Sequence, residues 1–545
     1  MQRNELANDY CSDSATPRNT KRPLAASLVV ATVFILSGCS PNFYSLPVFT
    51  TTNIHNEEAL TLLSASGPET IGSAGPGLSV RDPFSDGHFV GVSASGGGMR
   101  AAAFTLGILA ELDEMKSSGQ SGSALDEVDL LSSVSGGSWA VASMLSTRAE
   151  NDTRSLHEAL PLIERQFAQM KDITVRKWAR SFIPTVTAKR TFRDIYPSDK
   201  ADPLPFAYFN ASLYPSQSPF VFTPAYLEHY KVTSLGDPAD PTRIELGSPA
   251  TLADIPIGYA ASASSAVPGF TSAFATTELC DGEDQASFCY GRSGSRNTLQ
   301  ILDGGLYDNI GYKTLVEVAL TESERMSSVS ASLIMIDSAD VEAFQTIPAD
   351  KREDGNVLDI AMASSFPNQN ATFDRLRDPV LRSAGFDTRL HLNFLSASGF
   401  DPEKHGTLLN GLDELAYYAA HDVGCWSDTG SWHKGVNRLS KPASFGTPED
   451  NLNRLVGKGK DCVSLNFARA GYLYKTTFKY DDYRFKLNYQ LGRLVVRMKC
   501  PDLAGAVFPD GKDNADSYCK ELASDHADTA AKPTLPGASE RHRKA

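Results

Sequence analysis

Three short stretches carry residue types that can do chemistry. The first is Val128 to Trp139, VDLLSSVSGGSW: an apolar run, then Ser135, then Gly136 and Gly137. A helical pattern, Trp139 to Leu145, follows. Strand, sharp turn and helix hold a serine hydroxyl exposed at a strand end and aim a helix N-terminus at whatever binds there. The spacing departs from G-x-S-x-G at one place, where Ser133 stands for the first glycine. The second stretch is Ser95 to Arg100, SGGGMR, between a strand pattern at residues 88–95 and a helical pattern from Ala101 to Lys116. Glycines there offer backbone N–H groups at the positive end of a helix, which suits a phosphate or the oxyanion of acyl transfer. No Gly-Lys-Ser/Thr follows, so it is not a P-loop. The third is Gln300 to Asn309, QILDGGLYDN, where a short strand ends at Asp303 and two glycines. A carboxylate in that place serves as a turn former or as a base. Taken singly, each stretch also reads as an ordinary turn.

These residues need elements to hold them. Two strand–turn–helix units in succession argue for a parallel sheet. Such a sheet brings residues 96–98 and Ser135 to one edge, the carboxyl ends of adjacent strands. After Asp303 the pattern gives a helix at residues 312–320 and a strand at residues 332–337. Beyond residue 340 the signal weakens. Residues 341–410 look loop-rich with short helices. Helices are expected at 411–423 and after Thr447, the second with Thr447 as cap and Pro448 in the first turn. Residues 463–499 mix helix and strand patterns.

Apolar content of 41% and charged content of 21% over 545 residues are those of a folded chain. A net charge of −14 argues against nucleic acid as a partner. No C-x-x-C and no H-x-x-x-H occurs, so no metal and no cofactor are expected. Residues 171–193 are basic against this acidic background, with Lys177 and Arg180 interleaved with Trp178 and Phe182. Such a segment lies on an anionic lipid surface or forms a solvated helix.

Near the amino end, Lys21-Arg22 precede an apolar run from Leu24 to Leu36, then Ser37-Gly38-Cys39. A basic flank, a short apolar run and small residues describe a secretory signal over residues 1–38. Leu36-Ser37-Gly38-Cys39 resembles the lipobox of bacterial lipoproteins. That resemblance implies cleavage before Cys39, lipidation of Cys39, and anchoring in a bacterial envelope. Ser40 after the cysteine points to the outer membrane, facing the periplasm. Residues 39–85, rich in Ser, Thr, Gly, Pro and Asn, read as a tether. Six further cysteines fall into neighbouring couples, Cys280 and Cys289, Cys425 and Cys462, Cys500 and Cys519. Six allow 15 connectivities; neighbour pairing suits an oxidising compartment.

The order of Ser95-Gly96-Gly97-Gly98-Met99-Arg100, Ser133-Val134-Ser135-Gly136-Gly137, Ala263-Ser264-Ser265-Ala266-Val267-Pro268 and Asp303-Gly304-Gly305 resembles the patatin-like phospholipase family. The resemblance implies an α/β fold, a three-layer α/β/α core with a mainly parallel sheet over residues 86–340. A C-terminal extension of mixed structure (341–525) and a polar, mobile tail (526–545) would follow. It also implies a Ser–Asp dyad without histidine, Ser135 as nucleophile and Asp303 as base. Gly96, Gly97 and Gly98, with Arg100 near, would form the oxyanion hole, and Gly136 would add a donor. The expected activity is hydrolysis of fatty acyl esters of phospholipids or lysophospholipids by a protein held at the membrane through Cys39. Two alternatives stay open: a catalytically weak or inactive lipid-binding or envelope-assembly lipoprotein of the same fold, and a phosphate- or nucleotide-binding protein using the glycine loop.

Overall fold

A computed structural model describes residues 77–116, 122–150, 155–169, 189–199, 204–214, 218–236, 243–246, 250–267, 273–280, 295–338, 379–421, 441–472 and 479–508, with Gly75, Thr187 and Cys519. Ten strands join in one sheet: β1 (His88–Ala94), β2 (Leu130–Val134), β3 (Phe206–Tyr214), β4 (Pro219–Val221), β5 (Val232–Leu235), β6 (Ile244–Glu245), β7 (Ala273–Cys280), β8 (Ser295–Asp303), β9 (Ser330–Asp337) and β10 (Thr388–Asn393). The order is β10-β9-β1-β2-β3-β8-β7-β5-β6, with β4 on β3. Strands β10, β9, β1, β2 and β3 run parallel. β1, β2 and nearly all of β3 and β9 are buried along their length, as strands covered on both faces must be. The expected three-layer α/β core around a parallel sheet is therefore present, with an antiparallel wing on one side.

The wing explains how Asp303 reaches the same edge as Ser135. β3 pairs with β2 through Asn210 and then runs on past the edge to Tyr214. β8 returns antiparallel along that projection and ends with Asp303 opposite Ala211. An antiparallel strand thus delivers its last residue to the carboxyl edge of a parallel sheet.

The helices that matter below are α1 (Gly98–Glu114), α2 (Gly136–Glu150), α3 (Ile257–Ser264), α4 (Tyr312–Thr321), α5 (Asp413–His421), α6 (Lys460–Tyr472), α7 (Asp482–Met498) and α8 (Cys500–Val507). The helix expected after Thr447 spans Pro448–Lys458, and Thr447 caps it by accepting from the Asp450 N–H. Residues 463–499, which mix two patterns in the sequence, are helical in α6 and α7 and contain no strand among the described residues. α7 is buried on nearly every side from Tyr483 to Arg497, its polar residues Asn488, Gln490, Arg493 and Arg497 included.

The part beyond residue 340 is built into the core. It supplies β10 to the sheet and lays α7 against α1. Two glycines allow that crossing: a Cβ at Gly107 would lie 2.0 Å from the Tyr489 carbonyl oxygen, and one at Gly492 would lie 2.3 Å from that of Phe104. A buried ion-pair cluster fixes the register. Glu111 accepts from the Nε atoms of both Arg493 and Arg497. Arg493 also reaches Glu114 at 2.6 Å, and Arg497 donates to the carbonyls of Leu408 and Asn410 at 2.9 and 2.7 Å. Burial pushes the Glu111 carboxyl up, but the Arg497 and Arg493 guanidiniums outweigh it and hold the group below the usual carboxylate range.

The sulfurs of Cys500 and Cys519 are bonded at 2.02 Å. Cys462 is buried, the side chain of Cys280 is not described, and Cys289 and Cys425 lie outside the described residues. So do Cys39 and the basic–aromatic candidates Trp178, Phe182, Lys177 and Arg180. Among the described residues no helix is long and apolar enough to cross a membrane.

Candidate active site

Ser135 sits between β2 and α2 with φ +50°. A side chain in the left-handed region costs about 1–3 kcal/mol and persists only where the surroundings impose it. Here they do. Its N–H donates to the Ser264 Oγ at 3.0 Å, and its carbonyl accepts from Trp139 at the start of α2. Two residues on, the Gly137 N–H donates to the Ser95 carbonyl at 3.1 Å, which ties the elbow to the glycine loop.

The glycine loop abuts the elbow. A Cβ at Gly96 would lie 3.3 Å from the Ser135 Cβ, and one at Gly136 would lie 2.1 Å from the Gly98 carbonyl oxygen and 2.8 Å from its nitrogen. Gly97 and Gly98 both take positive φ, 137° and 62°, conformations open to glycine. α1 begins at Gly98 and α2 at Gly136, and neither has an acidic residue in its first turn. Two positive helix ends thus converge on one serine with no carboxylate of their own to neutralise them.

One expected donor is otherwise engaged. The Gly96 N–H donates to the Asn309 carbonyl at 2.8 Å, because the loop after Asp303 folds back over the glycine loop. The N–H groups of Gly97, Gly98 and Gly136 have no partner among the described residues. Arg100 lies beside them, close to Gly97, with its guanidinium 5.8 Å above the Phe394 ring.

Asp303 accepts from the Gly305 N–H at 2.8 Å, and the Ser135 hydroxyl lies near enough to favour its ionised form. Its own N–H donates to the Ala266 carbonyl at 2.9 Å, and its carbonyl accepts from the Ser212 hydroxyl at 2.8 Å. Gly304 must lack a side chain, since a Cβ would lie 2.2 Å from the Asn210 carbonyl oxygen. Ser135 is 6% exposed and Asp303 2%. Burial pushes the Asp303 carboxyl up to about 6, with the Gly305 N–H and the Ser135 hydroxyl offsetting only part of it. A carboxylate so placed is a better base than one in water and is still mostly ionised at neutral pH.

A serine beside a buried carboxylate and free peptide N–H groups at two helix starts is an arrangement suited to acyl transfer. The match to known families falls on this region: residues 92–316 fit the family model described as patatin-like phospholipase. Residues 92–316 form a patatin-like phospholipase domain. Patatin-like phospholipases are typically lipid acyl hydrolases, which supports a hydrolase at the level of the family. Among curated proteins, none matches the chain. The boundaries of the patatin-like match enclose both Ser135 and Asp303, and leave out β9, β10 and helices α5 to α8.

Sequence reasoning did not single out Asn210 or assign a role to Ser264. Asn210 is 4% exposed on β3; its amide donates to the Ser132 Oγ at 2.8 Å and the Ser133 carbonyl at 2.9 Å, and Thr314 donates to its side-chain oxygen. A lone asparagine inside the buried run FAYFNASLY was the available signal. Ser133, the departure from glycine, donates its hydroxyl to the Tyr208 carbonyl at 3.2 Å. The elbow accommodates it.

Proposed function

We propose that this chain is an envelope-anchored lipid acyl hydrolase that cleaves fatty acyl esters of phospholipids or lysophospholipids through Ser135 and Asp303. The observation that carries this is the placement of the Ser135 hydroxyl beside the buried Asp303 carboxylate, at the meeting of two helix N-termini. Asp303 takes the hydroxyl proton as Oγ forms its bond to the acyl carbonyl carbon. The carbonyl π electrons pass to oxygen, and that oxyanion is held by the N–H groups of Gly97, Gly98 and Gly136. One such donor supplies roughly 3–4 kcal/mol of transition-state stabilisation. The tetrahedral species expels the alcohol, which leaves with the proton from Asp303. Water, activated by the same carboxylate, then frees the fatty acid and restores Ser135.

Residues 1–38 act as the export signal and lipid on Cys39 holds the enzyme at the outer membrane, facing the periplasm. The bonded Cys500 and Cys519 sulfurs support an oxidising compartment. Lipid products from native envelope lipids compared between wild type and Ser135→Ala test the reading. Wild type releases fatty acid with the matching lysolipid or deacylated product, and the variant releases none. Equal release by both would end it.

A further inference from the structure

The two members of the dyad share a support that is neither of them. Ser264 is the last residue of α3 and is fully buried. Its Oγ accepts the Ser135 N–H at 3.0 Å and donates to the Asn210 carbonyl at 2.5 Å, with the Ser138 Oγ 2.9 Å away. Ser138 in turn donates to the Ser133 Oγ at 3.1 Å. One hydroxyl therefore ties α3, the elbow, α2 and β3 together. Two residues further on, the Ala266 carbonyl accepts the Asp303 N–H at 2.9 Å. Asn210 closes the circuit from the other side, since its carbonyl oxygen also lies over Gly304, next to Asp303.

We propose that Ser264 is a positioning residue for the dyad: its hydroxyl holds the backbone of Ser135 in the left-handed conformation, while Ala266 on the same turn of chain holds Asp303, so the carboxyl end of α3 sets the separation between nucleophile and base. This rests on the Ser135–Asp303 reading above. Ser264 touches no substrate atom. Without its hydroxyl, the Ser135 N–H is buried with no acceptor, and a residue at φ +50° loses the contact that imposes it. The Oγ then drifts from the carboxylate. Misplacement of a reacting group by about 1 Å costs on the order of 100-fold in rate.

The test uses the full chain and a soluble short-chain ester, with a fluorophosphonate probe as a second substrate. Ser264→Ala is expected to lower kcat and the labelling rate by about 10- to 100-fold with KM and circular dichroism unchanged. Its acid limb of kcat/KM should move above the wild-type position, because the Ser135 hydroxyl no longer helps hold Asp303 ionised. Ser264→Cys keeps the size with a weaker acceptor and is expected to fall between the two, which keeps the test open if the alanine variant folds poorly. Wild-type kcat in folded Ser264→Ala or Ser264→Cys, beside Ser135-dependent labelling in the wild type, overturns this inference alone. A kcat loss that vanishes once corrected for folded fraction, with the acid limb unmoved, also overturns it. Absence of Ser135-dependent labelling in the wild type overturns the dyad reading and this inference together.

Discussion

A methyl group on Gly136 would lie 2.1 Å from the carbonyl oxygen of Gly98. The first residue of α2 and the first of α1 therefore pack backbone to backbone, and the two helix starts face the same serine. Gly136→Ala must push the loops apart. Overpacking of this kind costs about 1–3 kcal/mol, and separating the two sets of N–H groups from the oxyanion position costs on the order of 100-fold in kcat. Thermal unfolding and ester kinetics on the purified variant measure both.

Asp303 must be ionised to accept a proton, and its folded pKa of about 6 lies above the usual carboxylate value because of burial. The expected kcat/KM is flat above about pH 7 and falls about 10-fold per unit below pH 6. The stability contribution runs the other way. A pKa raised by folding favours the folded state fully below the unfolded carboxyl value, and that stabilisation is lost as pH rises through about 6. Activity and the Asp303 share of stability thus move in opposite directions with pH. Asp303→Asn should remove the acid limb along with ester hydrolysis.

Glu111 joins α1 to α7 through two arginines in a fully buried position. Glu111→Gln leaves guanidinium charge without its anion, a loss of about 3–5 kcal/mol. Because the folded carboxyl is held below its ordinary value, its share of wild-type stability is present above the unfolded carboxyl pKa and lost as pH falls through the folded one. Denaturant unfolding at pH 7 and at pH 4 should show a smaller gap between variant and wild type at the lower pH. An equal gap at both would contradict the assigned charge state.

Glycines next to strand ends made the candidate site readable. Ser135, Gly97, Gly98 and Asp303 each sit where a strand must stop and turn, and a turn of that sharpness admits few residue types. The parallel sheet followed from the two strand–turn–helix units. What stayed hidden depended on contacts distant in the chain. Ser264 meets Ser135 across 129 residues, and no local pattern announces such a bond. The engagement of Gly96 by Asn309 is of the same kind. α7 was the least legible element: Tyr489, Val495 and Val496 favour a strand, while Gln490, Arg493 and Arg497, which recur at helical spacing, are themselves buried.

Ser135 as nucleophile and Asp303 as its base can be checked at the reacting atom, by locating the adduct after reaction of the full-length protein with a fluorophosphonate probe. Phosphonylation is expected on the Ser135 hydroxyl in wild type, with much slower labelling in Asp303→Asn and none in Ser135→Ala. A wild-type protein that hydrolyses lipid yet carries the adduct on another residue, or that labels equally fast without the Asp303 carboxylate, would contradict that assignment.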